Sequence, residues 1–268
     1  MRILLTGRGG QVGWELERLL PALGEVVATD RAALDLAGAG IPEVVSRVKP
    51  TLIVNAAAYT AVDKAETEKD AAMRVNGIAP GILAEEAKRI GALLVHYSTD
   101  YVFDGEKQAP YVEDDAPNPL GAYGASKLEG ERRIRASGCR HLIVRTSWVY
   151  GARGRNFFLT MRNARQPLRV VDDQRGVPTS SRFLAEHTVS LIDKNIEGLL
   201  HLVPSGSTTW YGFARQILGE KSAITPIRSS EYQTAARRPA NSVLDNRKAQ
   251  ALLGGALPDW RSVLAAVR

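Results

Sequence analysis

The chain has 268 residues, 44% hydrophobic and 24% charged, with a net charge of +6, an ordinary balance for a globular protein with one large core or two smaller ones. Arginines are scattered and no basic run is interleaved with aromatics, which argues against nucleic acid as a partner and suits an anionic small substrate. A lone Cys139 excludes an internal disulfide framework, no run approaches the ~20 apolar residues of a membrane span, and a first strand starting at residue 2 leaves no room for a leader, so a cytoplasmic protein is expected.

Residues 2–6 form a short apolar run, followed at once by Gly7-Arg8-Gly9-Gly10-Gln11-Val12-Gly13. Residues 14–20 then have helical periodicity, with Leu16, Leu19 and Leu20 on one side. Gly7, Gly10 and Gly13 therefore lie between a strand and a helix with G-x-x-G-x-x-G spacing. Gly7 allows a tight turn, Gly10 lets the backbone approach a pyrophosphate, and Gly13 lets helix and strand pack closely. The helix start adds unpaired N–H groups. No Gly-Lys-Ser/Thr follows, so this is not a Walker loop. The expected ligand is a dinucleotide; the plainer alternative is a glycine-rich turn of any α/β protein.

A second strand, 25–29, ends in Asp30-Arg31. An acid there can hold adenosine ribose hydroxyls, whereas an arginine favours a 2′-phosphate. NADH and NADPH both stay open, as does a solvated ion pair. Further strands are expected at 51–55, 92–97, 141–145 and 198–203. Helices are expected at 70–89, 123–135 and 181–194. Residues 104–119 hold three prolines and several acids and read as a loop.

Strand–helix alternation predicts an α/β fold with a doubly wound parallel sheet of Rossmann type. Residues 1–147 and 177–204 would form the dinucleotide-binding domain. Residues 148–176 and 205–268, richer in Gly, Pro, Arg and polar residues, would form a smaller mixed α/β substrate lobe. Ligands of such sheets sit at the carboxyl ends of the strands. Gly7, Asp30, residues 55–60, 98–100 and 146–148 all fall there.

The chemistry is expected at Ser98-Thr99-Asp100 and at Tyr123-Gly124-Ala125-Ser126-Lys127. Residues four apart share a helix face, so the Tyr123 phenol and Lys127 ammonium point the same way. A free tyrosine titrates near pH ~10, and a neighbouring cation lowers that value. A shift of about three units needs roughly 4 kcal/mol. The pair suits proton exchange with a carbonyl or alcohol; alone, it is also a common accident of surface helices. His96, His141, His187 and His201 show no ligand spacing, so no metal site is expected.

Taken together, these motifs resemble the extended short-chain dehydrogenase/reductase family and, within it, the dTDP-4-dehydrorhamnose reductases. The narrower resemblance rests on residues 6–15, 55–66, 98–105 and 123–127. It is strengthened by Arg145-Thr146-Ser147-Trp148-Val149-Tyr150, residues 173–179 and 205–211, and Ala236-Arg237-Arg238-Pro239-Ala240-Asn241-Ser242. It implies NAD(P)H-dependent reduction of the 4-keto group of a dTDP-6-deoxy sugar. Thr99 would hydrogen-bond the carbonyl oxygen, Tyr123 would donate the proton, and Lys127 would tune the tyrosine and hold the nicotinamide ribose.

The resemblance also places cofactor contacts at Gly10, Gln11, Val12, Asp30, Asp35, Leu36, Ala57, Ala58, Tyr59 and Ser98, to which the turn and the strand end read above add Gly7 and Arg31. Asp100 and Trp148 would line the sugar pocket, although Trp148 could equally be a core aromatic. Arg237 and Arg238 would meet the substrate pyrophosphate, since arginine pairs bidentately with phosphate. Adjacent side chains diverge, so one is expected on phosphate and the other elsewhere. Lys64 and Glu66 would form a helix-surface or loop network rather than do chemistry. Some family members dimerise through magnesium held by a first-helix glutamate and a C-terminal one. Glu15 matches the first, but no acid follows Asp259, so a monomer or weak homodimer is expected. Two rivals remain, a nucleotide-sugar epimerase or dehydratase of the same fold and a non-catalytic regulatory subunit that binds a dinucleotide.

Overall fold

A computed structural model describes residues 1–165, 167–219 and 222–267. The order is β1 (Arg2–Thr6), α1 (Gln11–Leu19), β2 (Glu25–Thr29), α2 (Ile41–Val48), β3 (Leu52–Asn55), α3 (Lys69–Met73), a π-helical turn (Arg74–Ile78), α4 (Ala79–Ile90), β4 (Leu93–Thr99), α5 (Ala122–Ser137) and β5 (His141–Thr146). Then come β6 (Val149–Tyr150), α6 (Phe157–Asn163), β7 (Leu168–Val171), β8 (Arg175–Gly176), β9 (Thr179–Ser180), α7 (Ser181–Asp193), β10 (Gly198–His201), β11 (Thr208–Thr209), α8 (Trp210–Leu218), β12 (Ile224–Ile227), α9 (Arg247–Leu253) and α10 (Trp260–Ala265).

The main sheet runs β10-β5-β4-β3-β1-β2, and every pairing in it is parallel. The doubly wound fold expected from strand–helix alternation is therefore present. Strands read as near-continuous apolar runs because helices cover both faces. Leu5, Val54, Val95, Leu142 and Val144 pack with Leu16 of α1 and Phe183, Leu184 and Leu191 of α7. Leu4, Ile53, Leu94 and Ile143 pack on the other face against Val44, Val45, Leu83, Ala84 and Ile134. The chain leaves β1 for β2 on one side and reaches β3 on the other, so the order reverses at β1. A crevice opens at such a reversal, outside the carboxyl ends of the strands.

The helix expected at 70–89 is interrupted by the π turn, and β4 runs two residues beyond 97. A further cluster holds Phe103, Tyr111, Tyr150, Phe158, Val177, Phe213, Trp260 and Leu264. Short pairings β6–β9, β7–β12 and β8–β11 build this part, where the two strands of each pair come from well-separated stretches. Near the C-terminus, α9 packs on β10 and α7. Among the described residues, no helix is long and apolar enough to cross a membrane.

Candidate active site

The loop between β1 and α1 is shaped by two close approaches. Gly7 has φ +76°, and a Cβ there would lie 2.6 Å from the Ala57 backbone nitrogen. At Gly13 a Cβ would collide with the Gly7 carbonyl. Gly10 is different: a Cβ would meet only the Gly7 carbonyl oxygen, at 3.3 Å. Its open side faces away from the protein, and no side chain caps α1. The Gly10 N–H is spent on the Gly7 carbonyl at 2.9 Å, but the first helical N–H groups, at Gln11 and Val12, and the positive helix end remain available, and an anionic pyrophosphate fits such a cradle. The Gln11 side chain is already engaged, its Oε1 accepting from Asn156 Nδ2 at 2.8 Å.

Beyond β2, Asp30 Oδ1 accepts from the Ala32 and Ala33 nitrogens, both at 3.0 Å, which leaves Oδ2 free for a hydroxyl. Arg31 leans on Asp35 at 3.5 Å with 86% of its side chain exposed. Leu36 is buried. After β3, Ala57, Ala58 and Tyr59 turn along the same crevice. Asn76 clamps this turn: its Oδ1 accepts from Tyr59 N at 2.8 Å, and its Nδ2 donates to Tyr59 O at 3.0 Å and Ser126 Oγ at 3.1 Å. Asn76 was not singled out in the sequence. It sits in the π turn, a deformation often found near functional sites.

Thr99 ends β4. Its Oγ1 accepts from Tyr101 N at 3.1 Å and donates to Asp100 Oδ1 at 3.0 Å. Asp100 is 2% exposed, and among the described residues its Oδ2 has no hydrogen-bond partner within reach. Burial pushes Asp100 up to about 7, against hydroxyls that hold it down, Thr99 among them. The spacing argument expects Lys127 to draw the Tyr123 phenol down. In the structure the phenol moves up, to about 12, because burial outweighs the hydrogen bond to Thr99, and Asp100 adds to the rise. Lys127 is itself pushed down to about 8 by burial, with Glu131 opposing. A buried phenol is thus a neutral proton carrier at neutral pH.

Ser98 is turned inward. Its hydroxyl donates to Glu131 Oε1 at 2.5 Å, so only its backbone faces the crevice side. Glu131 also takes Arg145 Nε at 2.9 Å and Nη2 at 2.7 Å, a bidentate pair whose side chains are 2–3% exposed. Glu66 reaches across to accept from Ala122 N at 2.8 Å, which gives the start of α5 the cap that Gly121 lacks.

Trp148 adopts φ +46°, rare for a bulky residue. Its indole stacks on Trp210 with centroids 3.5 Å apart and planes 7° apart. Gly176 lies close against it, where a Cβ would overlap the indole. The two neighbouring arginines diverge. Arg238 Nη2 and Nη1 grip Asp63 at 2.8 and 3.1 Å, and Asp63 also accepts from Ala236 N at 3.0 Å. Arg237 is exposed and lines a cavity of about 10 Å³ with Tyr123, Tyr101, Phe103, Glu66 and Val62. Among the described residues it has no ion pair.

The family profile of the RmlD substrate binding domain matches residues 1–268. A dTDP-4-dehydrorhamnose reductase from Burkholderia thailandensis is 46% identical, over 97% of this chain and 96% of its own length. One from Escherichia coli K12 is 42% identical over 97% of this chain and 95% of its own. A solved dTDP-4-dehydrorhamnose reductase from Bacillus anthracis, in complex with NADP, has a TM-score of 0.95 at 35% identity, over 99% of this chain and 98% of its own. With a family match from end to end and the same fold throughout, this chain belongs to the RmlD substrate binding domain family, together with the dTDP-4-dehydrorhamnose reductases.

Proposed function

We propose that this protein reduces the 4-keto group of dTDP-4-dehydro-L-rhamnose to dTDP-L-rhamnose, using NADPH or NADH. The observation that carries the reading is one crevice. The glycine cradle of β1–α1 and the Thr99, Tyr123 and Lys127 set open onto the same carboxyl edge of the sheet. When bound there, the reduced nicotinamide supplies a hydride to the carbonyl carbon.

The protein's own residues supply position and the proton. Gly7, Gly10, Gln11 and Val12 would receive the pyrophosphate. Asp30 would take the adenosine ribose, or Arg31 a 2′-phosphate. Ala57, Ala58, Tyr59 and the Ser98 backbone would flank the cofactor, with Asp35 and Leu36 at its adenine end. Thr99 would turn its hydroxyl from Asp100 to the substrate oxygen. Tyr123, neutral at pH 7, would then give that oxygen its proton. The Lys127 cation would steady the tyrosinate left behind. Asp100 and Trp148 would line the sugar site, and Arg237 would take the pyrophosphate of the dTDP group.

Residues 148–176 and 205–268 would form the substrate lobe over the dinucleotide domain, in a monomer or weak homodimer. A coupled assay tests the reading. The keto sugar is generated in situ from a dTDP-glucose-derived precursor, and nicotinamide absorbance is followed with NADH and NADPH separately. The expected result is oxidation that requires both protein and sugar. Cofactor binding without turnover would overturn the reading in favour of a non-catalytic dinucleotide-binding protein.

A further inference from the structure

Behind the proposed catalytic lysine lies a polar row that the reaction as written leaves without a task. On one face of the main sheet, Leu4, Ile53 and Leu94 belong to a single apolar cluster. Side chains alternate along a strand, so two residues further on Thr6, Asn55 and His96 face the same side. They are register partners on adjacent strands: Thr6 beside Asn55, and Asn55 beside His96. Each is about 1% exposed. Thr6 Oγ1 donates to Asn55 Oδ1 at 2.7 Å, Asn55 Nδ2 meets His96 Nδ1 at 3.0 Å, and His96 Nε2 meets Lys127 Nζ at 3.3 Å. The row starts beside the cofactor loop and ends on Lys127.

We infer that His96, backed by Asn55 and Thr6, is a positioning residue that holds the Lys127 ammonium by accepting a hydrogen bond from it at Nε2. This rests on the proposed reductase reading, in which Lys127 must be charged. Other groups leave that charge largely unattended. Glu131 faces Lys127 from its own helix, but Arg145 on β5 already occupies both Glu131 oxygens, and Ser98 on β4 donates to one of them. Tyr123, a turn earlier on α5, is neutral. From β3 the Asn55 amide faces His96, and burial holds the imidazole uncharged.

The row can follow the state of the lysine without leaving a polar atom unpaired. As the amide stands in the structure, Thr6 donates to the Asn55 oxygen and the Asn55 nitrogen donates to Nδ1, so Nε2–H donates to Nζ, the pairing of a neutral amine. With an ammonium the amide turns over: Nε2 accepts from Nζ, Nδ1–H donates to the Asn55 oxygen, and the Asn55 nitrogen donates to Thr6. A hydroxyl can serve either way, as can an imidazole through its tautomers. An apolar residue at 96 could do neither.

The test compares His96→Leu with His96→Gln, whose amide oxygen reaches the Nε2 position, in the coupled reductase assay across pH. Losing a hydrogen bond to a charged group is worth about one to two pH units. His96→Leu is expected to move the alkaline limb of turnover down by that amount and to cut turnover at pH 8 about tenfold, with most of it restored in His96→Gln. An unmoved limb in His96→Leu, or no rescue by glutamine, would overturn the inference while the reductase reading stood.

A second readout needs no turnover. Imidazole ¹⁵N shifts of the cofactor-free protein are followed from pH 6 to 10. His96 should show an unprotonated Nε2 that changes in step with Lys127, and Lys127→Met should abolish the step. A flat His96 response, or one indifferent to Lys127→Met, would overturn the inference. Absence of turnover in the parent protein would instead sink the reductase reading, and the shifts would still decide the role of His96.

Discussion

Asp100 and Tyr123 show how burial sets the charge state of this site. Both are pushed toward their neutral forms, and the phenol at about 12 keeps its proton well above neutral pH. For Asp100 the folded value of about 7 lies above the ordinary 3.8. Between these values the folded state holds a proton that the unfolded chain releases, so stability falls as pH rises through that window. An asparagine keeps the shape without the charge. Asp100→Asn is therefore expected to gain melting temperature relative to the parent between pH 4 and pH 8. Thermal melts across that range check it, and a pH-independent difference would contradict it. Trp148 carries strain of another kind. A bulky residue at φ +46° costs about 1–2 kcal/mol, and the stacked Trp210 and the close approach of Gly176 hold it there.

The elements show what a sequence can and cannot announce. The turn after β1, the end of β2 and the Tyr123–Lys127 face of α5 are local patterns, and all three are where the spacing put them. The inward turn of Ser98 was not legible, because Glu131 becomes its partner only when α5 lies on β4. Asn76 was missed for a similar reason: a lone asparagine in a helical stretch gives no sign of a π turn. The arginine pair was half legible. Divergence follows from adjacency, but only the fold brings Asp63 to Arg238. Arg237→Ala is accordingly expected to raise the KM for the dTDP-sugar about tenfold or more, as loss of a charge-assisted contact implies. Asp63→Ala, Arg238→Ala and their double variant should resemble one another, since each opens the same ion pair. Steady-state kinetics on the four variants check this; additive losses at Asp63 and Arg238 would contradict it.

At the scale of the whole molecule, long-range order followed from alternation alone. Apolar strands separated by helices required a parallel sheet with both faces covered, and the reversal of strand order at β1 fixed where a ligand could lie. The part built around Phe103, Tyr150, Phe213 and Trp260 was not legible in the same way. Strands of two residues such as β8 and β11 have no periodicity, and they pair across some thirty positions of sequence. The central claim is that one crevice unites a dinucleotide cradle with Tyr123 as proton donor. Its most direct test is Tyr123→Phe, assayed for reduction of the keto sugar while cofactor affinity is measured in parallel. Turnover should fall by about 10²-fold or more, the usual worth of a general acid, with cofactor affinity nearly unchanged. Full turnover in Tyr123→Phe would contradict the account.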